Sequence, residues 1–228
     1  MRKDFGLNRK EETKDINVEK ILPDKKADDI LNKFNLIIDD IESKFNLINI
    51  LENKDMDEII YNILRSQIMF LMSAVDYYVH EIVKYGIISI FKGERKRTKQ
   101  YDTFSIGLAN VEKAIKNIED INWLEDAISN ENIKYTFMAY EKIRRALLLI
   151  SDDKKILPNA AKNINISDNK LKSNIDNIYK RRNAIAHQSD INESTGIKNK
   201  IDVKFVKDSI DFVKIAIESI HNEIVKGI

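Results

Sequence analysis

From about residue 56 to residue 91, apolar side chains recur at steps of three and four. The stripe is Ile59, Ile60, Ile63, Leu64, Ile68, Leu71, Met72, Val75, Tyr78, Val79, Ile82 and Val83. Such spacing is the signature of one face of an α-helix. At about 1.5 Å per residue a helix of this length forms the spine of a bundle. The rest of the chain agrees, because 228 residues contain only 6 Gly and 2 Pro, too little turn punctuation for many short strands. No alternating strand pattern and no internal repeat is visible.

The same periodicity organises the flanks. Ile30, Phe34, Ile37, Ile38, Ile41, Phe45 and Ile48 form one stripe over residues 27–52, and Asp55 is placed to cap the spine helix. Patterning resumes with Phe104, Leu108, Val111, Ile115 and Ile118. It continues with Trp123, Leu124, Ala127 and Ile128, then with Ile133, Phe137, Tyr140, Ile143, Leu147 and Ile150. Pro158 marks a loop. Ser167 or Asp168 caps a helix carrying Leu171, Ile175 and Ile178. A polar loop over 191–200 contains Gly196, and Asp202 caps a last helix with Val206, Ile210, Val213, Ile217, Ile220 and Ile224 on one face. These patterns predict an all-α chain, an up-and-down helical bundle. Residues 1–26 read as a charged N-terminal arm, with a short ordered piece at Ile16–Leu22 closed by Pro23. Residues 27–228 read as one domain, since no linker-like shift in composition divides them.

Composition closes off several functions. There is no Cys, which excludes disulfides, thiolate metal sites and a cysteine nucleophile, and suits a reducing cytoplasm. Charged residues are 33% of the chain, yet the net charge is +1, so any attraction for nucleic acid must be local. The opening MRKDFGLNRKEETKDINVEK lacks the apolar segment of a signal peptide. No run approaches a membrane span. The 3 His are not spaced for zinc, and no G-x-S-x-G or phosphate-binding glycine loop occurs. No cofactor and no metal are expected.

One segment stands apart. Lys180, Arg181, Arg182, Asn183, Ala184, Ile185, Ala186 and His187 bring three successive cations into a helix whose other face is apolar. On a helix Asn183 and His187 lie about 40° apart on one face, whereas Arg182 is about 140° from His187. The Arg side chain bends round, or the helix ends here, or a second copy supplies the missing group.

Arg182-Asn183-x-x-x-His187 resembles the R-x4–6-H motif of the HEPN superfamily. RRNAIAH is most similar to its RiboL-PSP-HEPN branch, as is SAVDYYVHEIV over residues 73–83, which resembles that branch's early helix. The resemblance implies a HEPN-type bundle with a four- to five-helix core and extra helices. It implies a homodimer whose two motifs share a composite active site, with Arg182, Asn183 and His187 catalytic. Active members cleave RNA without a metal, through attack of the ribose 2′-OH on the adjacent phosphate, leaving a 2′,3′-cyclic phosphate and a 5′-OH. An imidazole with a reference pKa of about 6.5 exchanges protons near neutrality, and a guanidinium offsets charge growing on the phosphorus. Lys180 and Arg181, with Asp76, His80 and Glu81 from the early helix, are the expected substrate-binding groups. The family suggests a toxin-like or anti-phage defence effector held in check by an antitoxin or sensor partner. The rival is a non-catalytic HEPN module for RNA or nucleotide binding, or for dimerisation.

Plainer roles stand beside these. His187 caps helix carbonyls, Arg181 and Arg182 are solvated or pair with Asp176 or Asp190, and His80 with Glu81 is a surface pair. The basic run 92–99, with five Lys or Arg against one Glu, is either a phosphate grip or a solvated loop. Tyr77, Tyr78 and Tyr140 read as core rather than as base-stacking platforms, and His221 as structural.

Overall fold

A computed structural model describes residues 27–52, 56–117, 120–132, 134–192 and 194–226. The expected arm over 1–26, with Ile16–Leu22 and Pro23, lies outside the described residues, as do Asp55, Ile118 and Ile133. Ten α-helices follow in order among the described residues: α1 Ala27–Ser43, α2 Phe45–Glu52, α3 Asp57–Phe91, α4 Lys99–Asp102, α5 Leu108–Lys116, α6 Asn122–Asn132, α7 Tyr140–Leu147, α8 Ile156–Asn163, α9 Asp168–Gln188 and α10 Val203–Val225. No strand forms among them, only an isolated bridge between Ile191 and Lys198. The chain is all-α, as its periodicity predicts.

The spine helix α3 runs through the middle and packs against α1, α2, α6, α7, α9 and α10. Gln67 Nε2 donates to the Ile41 carbonyl, while Tyr78 packs against Phe34, so α1 runs antiparallel to α3. Arg65 meets Asp190, while Met72 and Val75 line one cavity with Ile175, so α9 is antiparallel too. Val213 and Ile217 line the same cavity, and Tyr78 meets His221, so α10 runs parallel to α3. Direction therefore alternates along α1, α3, α9 and α10. Their facing stripes, including Ile30, Phe34, Ile68, Leu71, Leu171, Ile175, Val206 and Ile210, fill one core.

Two predicted caps form: Ser167 accepts from the Lys170 N–H and Asp202 from the Phe205 N–H. Three expectations are corrected. The stripe over 27–52 is two helices, broken at Lys44, where the Ser43 hydroxyl bonds the Asp40 carbonyl and the Lys44 N–H reaches Ile41, three residues back. That local side-chain bond competes with the helical ladder. The stripe over 133–150 yields a helix only at α7, because carboxylates of other helices hold the backbone before it. Asp76 accepts from the Phe137 N–H and Asp176 from the Tyr140 N–H. Pro158 lies inside the first turn of α8 rather than in a loop. There its missing N–H is one the helix leaves unpaired anyway.

Candidate active site

Everything singled out around the motif sits in the last turns of α9, and how that helix ends decides what faces outward. Ser189 and Asp190 both take left-handed backbone, with φ of 50° and 61°. The Asp190 N–H then bonds the Ala184 carbonyl at 2.9 Å, turning the chain inward. The Asp190 side chain is wholly buried. Its Oδ1 lies 2.6 Å from Arg181 Nη1, and its Oδ2 accepts from Arg65 Nε at 2.7 Å and Arg181 Nη2 at 2.8 Å. Asn199 Nδ2 donates to the same residue's carbonyl and carboxylate. The two guanidiniums go on to bond the Asn199 and Lys200 carbonyls, each at 3.0 Å. Burial lowers the Arg181 pKa from its ordinary value, against the opposing pull of Asp190. Of the roles held open for Arg181, the structure has it paired with Asp190.

With the helix end anchored, His187 stands exposed one turn beyond the half-buried Asn183, and Lys180 is exposed as well. Arg182 starts on a different side of the helix, yet its Nη1 donates to Asn183 Oδ1 at 3.2 Å. The guanidinium thus bends round toward the face that carries Asn183 and His187. Arg182 Nε is buried without a hydrogen-bond partner. An imidazole, an amide and a guanidinium are brought to one helix end. This set can exchange a proton and hold an oxyanion.

Asp76, His80 and Glu81 lie elsewhere. Asp76 is engaged with the Phe137 N–H, and His80 Nε2 lies 3.6 Å from Asp76 Oδ1. The His80 ring packs 4.6 Å from that of Phe137, and Glu81 pairs with Lys84 at 2.8 Å. Val75 and Ile175 line one cavity, and Ile175 stands twelve residues before His187, so this group lies about 18 Å along α9 from His187. Asp76 and His80 are thus engaged with the Phe137 segment rather than with the motif.

The basic run has a structural part that neither expectation foresaw. Arg95 is buried and donates to the Ile224 carbonyl, Arg97 pairs with Asp102, and Thr98 caps α4. Tyr78 and Tyr140 are core residues, and Tyr77 is half-buried. Sequence reasoning missed Arg65 and Asn199. Nothing in the sequence signals Arg65, which stands on an amphipathic helix 125 positions from its partner. Among the described residues no three His, Asp or Glu gather as metal ligands, and no helix is long and apolar enough to cross a membrane.

The family model described as RiboL-PSP-HEPN matches residues 28–226. No curated protein and no solved structure matches the chain.

Proposed function

The chain belongs to the RiboL-PSP-HEPN family, and from that premise we propose that it is a metal-independent endoribonuclease acting as a homodimer. Membership itself points to ribonuclease-like or nucleotide-related chemistry. The finer reading is carried by one observation: the Arg182 guanidinium bends to Asn183 Oδ1 and so toward the face on which His187 stands exposed.

In this mechanism two copies of the α9 end face each other across a two-fold axis. One His187 takes the proton of the ribose 2′-OH, whose oxygen forms a bond to the adjacent phosphorus. The P–O5′ bond breaks, and the departing 5′ oxygen takes a proton from the other His187. Arg182 offsets the charge that grows on the phosphoryl oxygens, while Asn183 holds Arg182 in place and Lys180 attracts phosphate. DNA, which lacks the 2′-OH, is not cleaved. Such an activity suits a toxin-like or anti-phage effector in a reducing cytoplasm, restrained by an antitoxin or sensor partner.

The test is incubation of the purified chain with a mixed RNA pool in EDTA, beside His187→Ala and Arg182→Ala. Cleavage by the wild type alone supports the proposal. RNA left intact with and without added metal, by protein freed of any co-purifying partner, favours a non-catalytic binding module instead.

A further inference from the structure

The motif end of α9 and the Asp76–His80 group are about 18 Å apart, and the surface between them is neither blank nor random. Tyr179, Asn183 and His187 follow at steps of four on α9, so they descend one face, with Tyr179 about 12 Å from His187. The Lys142 ammonium lies 5.9 Å from the centre of the Tyr179 ring and donates to Thr136 Oγ1 at 2.9 Å. Beside Thr136, the Tyr135 ring is 55% exposed and stacks on the buried Phe137 ring, 6.4 Å between centres and 19° between planes. Phe137 in turn packs on His80. A strip therefore runs from His80 through Tyr135, Lys142 and Tyr179 to Asn183 and His187.

Its chemistry selects an occupant. Lys142 is exposed and forms no ion pair among the described residues, so its charge is open to a phosphate. Tyr135 is anchored from behind by Phe137 and more than half open in front, a fixed platform rather than a free side chain. Aromatic platforms spaced around a cation hold unstacked bases and the backbone between them. A duplex keeps its bases stacked on one another and offers no free faces. The overall charge of +1 supplies no general basic field that would hold a duplex by its phosphates.

We propose that this strip is the binding track of a single-stranded RNA, with Tyr135 stacking a base and Lys142, held over the half-buried Tyr179 ring, holding the neighbouring phosphate. The track leads the strand to His187, and in that respect it rests on the ribonuclease reading. It also gives His80 a part in substrate binding without any contact with the motif.

The track is tested without cleavage. Fluorescence anisotropy of the full chain with a labelled octanucleotide, 2′-O-methylated at every position so that it cannot be cut, measures binding alone. Tyr135→Ala and Lys142→Ala are each expected to weaken binding about tenfold, while Tyr135→Phe, which keeps the ring, binds as the wild type does. Annealing the strand to its complement should remove the dependence on Tyr135. Tyr135 and Lys142 lie at the surface, and thermal melts of the variants are the check that they fold. Wild-type affinity in both alanine variants, equal loss in Tyr135→Phe, or no binding by the wild type overturns the track. If RNA is cleaved while Tyr135→Ala binds normally, the track fails and the ribonuclease reading stands. If binding depends on Tyr135 but no RNA is cleaved, the track stands and the ribonuclease reading fails.

Discussion

Asp190 Oδ2 lies 2.7 Å from Arg65 Nε, tying the residue two beyond the end of α9 to the first half of α3 across 125 positions of sequence. Arg181 closes on the other oxygen at 2.6 Å. Removing the carboxylate leaves two part-buried guanidiniums with no counter-charge. Asp190→Ala should therefore cost about 3–5 kcal/mol, the range for breaking a buried ion pair from one side. Urea denaturation measures it, and a loss below about 1 kcal/mol would show that the clamp contributes little.

His187 and His221 should separate cleanly. His221 is buried, with Nδ1 3.0 Å from the Tyr78 hydroxyl and Nε2 3.2 Å from Asp28 Oδ1, joining α10 to α3 and α1. His221→Ala strands the Tyr78 hydroxyl and should cost about 1–3 kcal/mol. Cleavage by the fraction that stays folded should be unchanged. His187→Ala, at an exposed position, should stay within about 0.5 kcal/mol of the wild type in stability and lose cleavage altogether. Paired denaturation and cleavage assays on the two variants give the comparison.

Burial raises the Tyr78 phenol well above its ordinary value, and burial followed by the Asp168 hydrogen bond raises Tyr140. A raised value means that the fold holds the proton more tightly than the unfolded chain does. The resulting stability is complete below the ordinary tyrosine pKa of about 10 and is lost as pH rises beyond it. The urea midpoint should fall above that pH, and Tyr78→Phe should show a shallower fall over the same range. A midpoint that does not change there would contradict the assignment.

What was legible in the sequence follows physical lines. The helix α3 lies within a residue of its predicted start because a long apolar stripe has only one way to be buried. The caps Ser167 and Asp202 were legible because a cap is a local bond. The break at Lys44 was not, since the stripe continues across it. The late start of α7 was not legible either, because it depends on Asp76 and Asp176, carboxylates distant in sequence. The motif was legible as residue types at a helical spacing. Its supports were less so: Asp190 stood only as one of two candidate partners, and Arg65 and Asn199 carry no local signal. The approach of Lys142 to Tyr179 and to Thr136, the neighbour of Tyr135, was invisible because the fold alone sets it.

A site that uses both copies of His187 predicts that one defective copy is enough to silence a dimer. His187→Ala mixed with the wild type and allowed to exchange subunits should form mixed dimers that lack either the base or the acid, so cleavage should fall as the square of the wild-type fraction. Activity titrations against mixing ratio, beside light scattering of each variant, test this. A fall in simple proportion to the wild-type fraction, while both chains dimerise and exchange, would show that one His187 suffices.

The ends of the RNA products test the central claim most directly, since they record which oxygen attacked the phosphorus. RNA cut by the wild-type chain in EDTA should carry 2′,3′-cyclic phosphate on one side of the break and 5′-OH on the other, with no such ends from His187→Ala. Products with 3′-OH and 5′-phosphate ends, or cyclic ends that persist in His187→Ala, would contradict the mechanism built on Arg182, Asn183 and His187.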